Sequence, residues 1–377
     1  MRILVPTASF QYDVANCFAR DLAQGLAGLP GQEVATGHLS GPVDLERLLC
    51  DFRPDLVLSI QGVGIDHPVV AKHPGAAWMV MGIDHPSHIY GRMHKIQTKR
   101  ALITAFEEAH MPCLKILAPE IPRAFLAHPA PASVVSARRP ELGLCFLGTW
   151  KSPAEARAAW MGTFEAAALS RLEAGLSTAM SRRCADAAEL LDSDDPVWQG
   201  SRGRWSVGVA QLDLMIRLVL RIRLLKELDE AGLAVNLYGA GWDAADWRHH
   251  RVHPALDYNQ ALLIGARALG VLSITPTLPA GSHERPLSCL GQGSVCLTTP
   301  SRFYQEAGFV AGRDYLDYDP WEPGALGAAV AKLADFHSSA CRREALPESR
   351  ARILREHSPL ARARQILRLA EQHFGLV

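Results

Sequence analysis

The sequence predicts two doubly wound α/β domains, and three observations carry that prediction. Short apolar runs alternate with stretches of helical periodicity along most of the chain. The alternation lapses at "AHPAPASVVSARRPE" (residues 127–141), whose Pro, Ala and Ser content reads as a linker, and then resumes. A chain of 377 residues, 48% of them hydrophobic, supplies core for two or three domains rather than one.

Taken in order, "MRILVP" opens as a strand. "DVANCFARDLAQGLAGL" follows as a helix, with Val14, Cys17, Phe18, Leu22 and Leu26 at helical spacing. "EVATGHL" reads as a strand and "PVDLERLLCDF" as a helix. "DLVLSI" and "AAWMVMGID" are buried strands, the first running into a Gln61-Gly62 loop. "HKIQTKRALITAFEEAH" reads as helix and "CLKILAP" as extended. In the second block "LGLCFLGTW" is a strand. The Ala-rich stretch from "PAEARAAW" to "ADAAELL" favours helix. A polar break, "DSDDPVWQGSRGRW", precedes the helix "LDLMIRLVLRIRLLKELDEAG", which Gly232 stops. "LAVNLYGAGW", "ALGVLSIT" and "SVCLTT" are strands. "ERPLSCLGQG", "PWEPGALGAAVAKLADF" and "SPLARARQILRLAEQHF" are helices. Two such sheets leave a cleft at their carboxyl ends, where open α/β sheets bind ligands.

Composition narrows the function. Lys+Arg and Asp+Glu balance at 39 each, so the basic excess of a nucleic-acid binder is missing. The opening residues lack a signal-peptide apolar region, and no run is apolar enough to span a membrane. The eight cysteines form no Cys-x-x-Cys pair, which argues against zinc ribbons and disulfide frameworks. The expectation is a cytoplasmic protein with reduced thiols. "RLVLRIRLLK" offers at most a weak contact with an anionic membrane surface. Oligomeric state is not readable.

The strand exits of the second block carry the candidate chemistry. "LYGAGWD" places Tyr238, Gly239, Gly241 and Trp242 at a strand end. The glycines let backbone approach a ligand, and Trp242 is either a stacking face or a core residue. Gly281-Ser282 precedes a helix with Ser282 as a reasonable N-cap, and free N–H groups there suit a phosphate. Arg285 adds a charge-assisted contact, and Glu284 an acceptor for ribose hydroxyls. Lys151 lies just past the first strand of the block. No G-x-G-x-x-G follows the opening strand, which weighs against a dinucleotide dehydrogenase, and no P-loop spacing is present. His249, His250 and His253 lie close in sequence, but without a carboxylate pattern no metal site is assigned.

From "LCFLGTWKSP" through "LYGAGW" to "GSHERPLSCLGQGSVCLTTPSRFYQEAGF", about residues 143–335, the chain resembles GT-B glycosyltransferases. More narrowly, it is similar to the group-1 type that includes the CgeB-like spore-maturation enzymes. The resemblance implies a GT-B fold of two Rossmann-like domains facing a cleft. Residues 1–135 would form the acceptor domain. Residues 141–357 would form the nucleotide-sugar domain, with a helical insertion at about 154–206, and residues 358–377 a helix returning to the first domain. It implies a nucleotide-sugar donor as substrate, an unidentified glycan, small-molecule or protein acceptor, no cofactor, and transfer without a bound metal. The Glu that meets the donor ribose in the family falls on Ser288 here, so Glu284 or Ser288 takes that place.

One motif occurs twice: "GIDHP" at 64–68 and again at 82–86, each time just past a strand. An Asp orienting a His makes a general base for an acceptor hydroxyl. Asp84 and His85, with His88 three residues on, are the first candidates; His88 and Tyr90 alternatively bind the sugar. Asp66 and His67 are the second. The alternative is that both copies are turn elements. Two other functions fit the same architecture: a nucleotide-sugar epimerase, and a non-catalytic sugar- or nucleotide-binding member.

Overall fold

The computed structural model of the chain describes residues 1–132, 140–184 and 186–376. Most of the expected linker, residues 133–139, lies outside the described residues. The chain divides into two compact units: Met1–Ala132 with Leu354–Val377, and Ser133–Ile353.

The first unit is a parallel six-stranded sheet with helices around it. Its elements are β1 (Arg2–Thr7), α1 (Val14–Ala27), β2 (Glu33–His38), α2 (Pro42–Phe52), β3 (Leu56–Ile60), β4 (Ala77–Met81), α3 (Pro86–Met93), β5 (Ala101–Ala105), α4 (Met111–Leu117) and β6 (Arg123–Phe125). The strand order is β2-β1-β3-β4-β5-β6. Every residue of β3, β4 and β5 is buried, as a parallel sheet covered on both faces requires. That burial corrects two expectations. "ALITA", read as part of a helix, is strand β5, because a continuous apolar run does not distinguish a central strand from a buried helix. "CLKILAP", read as extended, falls mainly in α4, where Pro112 sits in the first turn.

The second unit repeats the plan. Its elements are β7 (Leu142–Leu147), α5 (Pro153–Thr163), α6 (Ala166–Ser181), α7 (Arg202–Glu230), β8 (Val235–Tyr238), β9 (Arg251–His253), α8 (Tyr258–Arg267), β10 (Ala268–Ser273), α9 (Glu284–Gln292), β11 (Cys296–Thr298), α10 (Arg302–Glu306), β12 (Leu316–Asp317), α11 (Ala325–Ala331), α12 (Leu333–Ser338) and α13 (Ala340–Arg352). The order β12-β11-β10-β7-β8-β9 is that of a dinucleotide-binding Rossmann sheet. The chain leaves β7 toward β8 on one side and returns through β10 on the other. The crevice outside the carboxyl ends of β7 and β10 is therefore the switch point where such sheets take ligands.

The second unit differs from the sequence reading in several places, helix α8 and strand β9 among them. The Ala-rich stretch breaks at Phe164, an extended and buried residue, into α5 and α6. Helix α7 begins ten residues before the expected one, because Ser201 caps the amide of Arg204 and Trp205 is buried. Helix α13 went unread because Pro347 lies inside it.

A last helix, α14 (Pro359–Phe374), packs on α1 in the first unit, and Ala363, Ile366 and Ala370 join that core. The crossing is tight at Gly25, where a Cβ would lie 2.6 Å from the Pro359 carbonyl oxygen.

Candidate functional site

The carboxyl edge of the second sheet is built by two strand exits laid side by side. Gly148 N–H donates to the Tyr238 carbonyl at 2.9 Å and Trp150 N–H to that of Ala240 at 2.9 Å, extending the β7–β8 ladder past both strands. Gly239 (φ +147°) and Gly241 (φ +89°) make this contact. A Cβ on them would lie 2.2 Å from the Gly148 carbonyl oxygen and 2.7 Å from that of Trp150. What the glycines admit in this structure is the neighbouring loop's backbone. Trp242 is corrected as well. It is 0% exposed, its indole N–H donates to the Gly148 carbonyl at 2.6 Å, and its ring meets Phe146 edge to face. It is the core tryptophan, not a stacking platform. Tyr238 is buried too, stacked on His253 at 4.4 Å.

The loop after β10 leads to α9. His283, not Ser282, occupies the N-cap position, and its side chain caps no helix amide. Ser282 lies one residue earlier and is buried, its hydroxyl within reach of the His283 carbonyl (2.9 Å) and the Tyr304 hydroxyl (3.1 Å). Gly281 is buried, and its carbonyl accepts from Ser301. Glu284 pairs with the His283 ring and stands 4.0 Å from Arg285. Ser288 donates back to the Glu284 carbonyl at 2.8 Å, so its hydroxyl proton is already committed. Lys151 is exposed.

Sequence reading missed the arginines of α7 and His283. Asp213, Arg217 and Arg221 lie four residues apart on one helix face. Arg217 pairs with Asp213 at 2.6 Å. Arg221 donates to the Thr149 carbonyl, just past β7, at 3.2 Å and lies over the Phe146 ring. Its Nε is buried without a hydrogen-bond partner. Burial, then the charges of Arg217 and Arg285, pull the Arg221 guanidinium down to about 9, with Tyr318 opposing weakly. A guanidinium so placed is still protonated at neutral pH. No carboxylate pairs with Arg221 among the described residues. Within residues 217–226, Leu218, Leu220, Leu224 and Leu225 are core and Arg223 reaches the Pro320 carbonyl, so these leucines do not form an outward apolar face.

In the first unit both GIDHP copies start helices. His67 Nδ1 accepts the amide of Val69 at 3.2 Å, and His85 Nδ1 that of Ser87 at 3.2 Å, each with proline following at the first helical position. The Asp84–His85 pair expected from sequence is not formed. Asp84 is exposed and accepts the Gln61 side-chain amide, while His85 is buried against Ser87 and edge-on to His110 at 4.4 Å. Neighbouring side chains at a helix start diverge, which is why adjacency in sequence does not become contact. Gln61 ties the exits of β3 and β4 together: its side-chain oxygen accepts the Ile83 amide, and its carbonyl accepts from Arg92. Gln61, Tyr12 and Asp13 all hold left-handed backbone (φ +57°, +57° and +58°) past the carboxyl ends of β3 and β1. Strain of that kind concentrates at functional loops. His88 is exposed.

His250 turns inward, hydrogen-bonded at Nε2 to the Leu225 carbonyl, while His253 bonds Asn236, so the two do not share a ligand. All eight cysteines are free thiols. No helix among the described residues is long and apolar enough to cross a membrane.

Two parallel Rossmann-like sheets with helices, the second in dinucleotide-binding order, make this an α/β protein of GT-B fold. Residues 221–368, starting at Arg221 itself, match the family model described as "Glycosyl transferase-like". No curated protein matches the chain in sequence. Among solved structures, T4 phage β-glucosyltransferase in complex with its UDP-glucose substrate is similar, with a TM-score of 0.56, 10% identity and 100% of each chain covered. Sucrose-phosphate synthase from Thermosynechococcus elongatus has a TM-score of 0.55 at 11% identity, also over 100% of each chain. A glycosyltransferase from Rickettsia africae ESF-5 has a TM-score of 0.51 at 10% identity, covering 99% of this chain and 98% of that one.

Proposed function

We propose that the chain is a glycosyltransferase that moves a sugar from a nucleotide-sugar donor to an acceptor hydroxyl. The observation that carries the proposal is Arg221. It is a largely buried cation beside Arg217 and Arg285, without a carboxylate partner among the described residues, at the switch point of a Rossmann-ordered sheet. An arrangement that costs energy when empty is repaid by a bound anion. The family match over 221–368 supports the same reading, as does the shared fold of a phage enzyme solved with UDP-glucose.

In this reading Arg221 and Arg285 meet the donor diphosphate, helped by the N-terminal end of α9. The charge of the leaving diphosphate then falls on protein cations, and transfer proceeds without a bound metal. Glu284 contacts the ribose in preference to Ser288, whose proton is spent on the helix backbone. The first unit takes the acceptor. Asp84, oriented by Gln61, is the base. His85 accepts a backbone amide at Nδ1, so its Nε2 is the nitrogen that serves as a donor. His88 contacts the acceptor. The narrower likeness to CgeB-like enzymes belongs to this reading.

The test is calorimetric titration with UDP, dTDP, GDP and ADP, followed by incubation with the corresponding glucose donors. Binding of one diphosphate with slow hydrolysis of its sugar donor is expected. Absence of binding by all four ends the proposal, and an isomerised donor replaces transfer with epimerisation.

A further inference from the structure

Helix α7 is far longer than a crossover between β7 and β8 needs. It has 29 residues, and four residues separate it from β8. Such a helix runs about 43 Å, whereas the four residues of β8 span about 13 Å. Arg221 touches Thr149 at the carboxyl end of β7, so the helix N-terminal to Arg221 projects past the ligand edge of the sheet. On that projecting part sit α5 and α6, and Trp160, Leu172, Leu176, Trp198 and Trp205 of this segment are all buried. The insertion is thus a helical cap rooted at the edge where the donor would bind.

The cap is tied to the strand exits at separate points. Trp321, past β12, donates its indole N–H to the Ala179 carbonyl of α6 at 2.8 Å, and Arg183 pairs with Asp319. A further tie is polar and buried. The Asp213 side chain is 2% exposed. One of its oxygens accepts the Thr277 hydroxyl at 3.0 Å and the other meets Arg217 at 2.6 Å. Thr277 is itself buried in the loop from β10 to α9, the loop that delivers His283, Glu284 and Arg285. One carboxylate therefore links the cap helix, an arginine of the cation cluster and the loop that presents α9.

We propose that Asp213 is a positioning residue. Through Thr277 it fixes the β10–α9 loop against α7, so that Arg285 and the start of α9 stand in register with Arg221 for a diphosphate. The inference rests on the donor-site reading above and adds the element that holds the site together. An ion pair to Arg217 alone would stabilise α7 by an i,i+4 contact and do nothing for the loop; the Thr277 bond makes the carboxylate a strut.

Inorganic pyrophosphate, which needs no nucleoside pocket, is the probe, titrated into the full chain by calorimetry. Thr277→Val removes the hydroxyl at constant shape and is expected to weaken pyrophosphate about 5- to 20-fold. Thr277→Ser keeps the hydroxyl and is expected to bind like the native chain. In an Asp213→Ala background, Thr277→Val should have no further effect, because the partner is already gone. Equal affinity of the native chain and Thr277→Val overturns the strut, as does an undiminished Thr277→Val effect in the Asp213→Ala background. If Asp213→Ala does not fold, the Val and Ser pair decides alone. A native chain that binds neither pyrophosphate nor any of the four nucleoside diphosphates instead overturns the donor-site reading, and the strut with it.

Discussion

Replacing Arg221 with methionine separates function from stability. The guanidinium is held well below the ordinary arginine range, at about 9, by burial first and by Arg217 and Arg285 next. A depression of that size corresponds to a few kcal/mol of unfavourable charging in the fold, taken as an order of magnitude. Against it stand a charge-assisted bond to the Thr149 carbonyl, about 1.5–3 kcal/mol, and the contact over Phe146, about 0.5–1 kcal/mol. Methionine keeps length and apolar contact and drops the charge. The variant is therefore expected to equal or exceed the native chain by up to about 2 kcal/mol, or several degrees in Tm for a unit of this size.

Binding should move the other way. Loss of one charge-assisted contact to a diphosphate costs about 1.5–3 kcal/mol, a roughly 10- to 150-fold rise in Kd. The assays are thermal melting without ligand and calorimetric titration with the best-binding nucleoside diphosphate. The pH dependence gives a second check. The folded value lies below the unfolded one, so from about pH 9 upward to the ordinary arginine range the unfolded chain binds more protons. This group's contribution to stability then rises with pH across that window, and the native-minus-variant difference should do the same. A variant destabilised by about 3 kcal/mol or more with unchanged nucleotide affinity would refute the reasoning and make Arg221 a structural residue.

Asp229 offers the opposite sign. Burial raises its carboxyl, but the amides of Arg248, His249 and His250 (2.9, 2.7 and 3.1 Å) outweigh that and hold it below the ordinary 3.8. Its stabilisation is present above 3.8 and lost as pH falls through the lower folded value; Asp229→Asn should destabilise by about 2 kcal/mol at neutral pH and flatten the acid limb of urea-melt stability. Gly239→Ala drives a Cβ into the Gly148 carbonyl and should cost about 3 kcal/mol or more, while Gly200→Ala (φ +64°, open space) should cost about 1–2 kcal/mol in the same melts.

The architecture was legible because parallel strands announce themselves. Leu56–Ile60 and Ala77–Met81 are continuous apolar runs bounded by turns, and Val14 to Leu26 repeats at helical spacing. The same signal misled at Ala101–Ala105, where charged neighbours at helical intervals masked a central strand. The start of α9 was legible to within one residue, since Ser282 and His283 both precede the helical run and only geometry decides which one caps. Arg217 and Arg221 were hidden by a helix whose leucines dominate its pattern; which face meets the strand exits depends on pairing between β7 and β8, a long-range fact. The one local sign was Asp213, an acid four residues before Arg217 within an otherwise apolar stretch.

The twin GIDHP segments show how a motif can be informative for a reason other than the obvious one. Histidine followed by proline encodes a helix start: the ring accepts the amide two residues on, and proline supplies the φ the first turn needs. That use occupies Nδ1 of His85 as an acceptor, which is why the proposed reading gives the role of base to Asp84 instead. It also fixes where Asp84 can be, one residue before the cap and past the end of β4, within reach of the Gln61 amide from the neighbouring strand exit. Gln61 itself holds left-handed backbone, a conformation costing about 1–2 kcal/mol for a non-glycine residue. The first copy, at Asp66, has the same cap, and among the described residues its carboxylate has no such partner. The two copies thus share a structural purpose and differ in one residue's surroundings, and that difference, rather than the motif, is the argument for placing chemistry at Asp84.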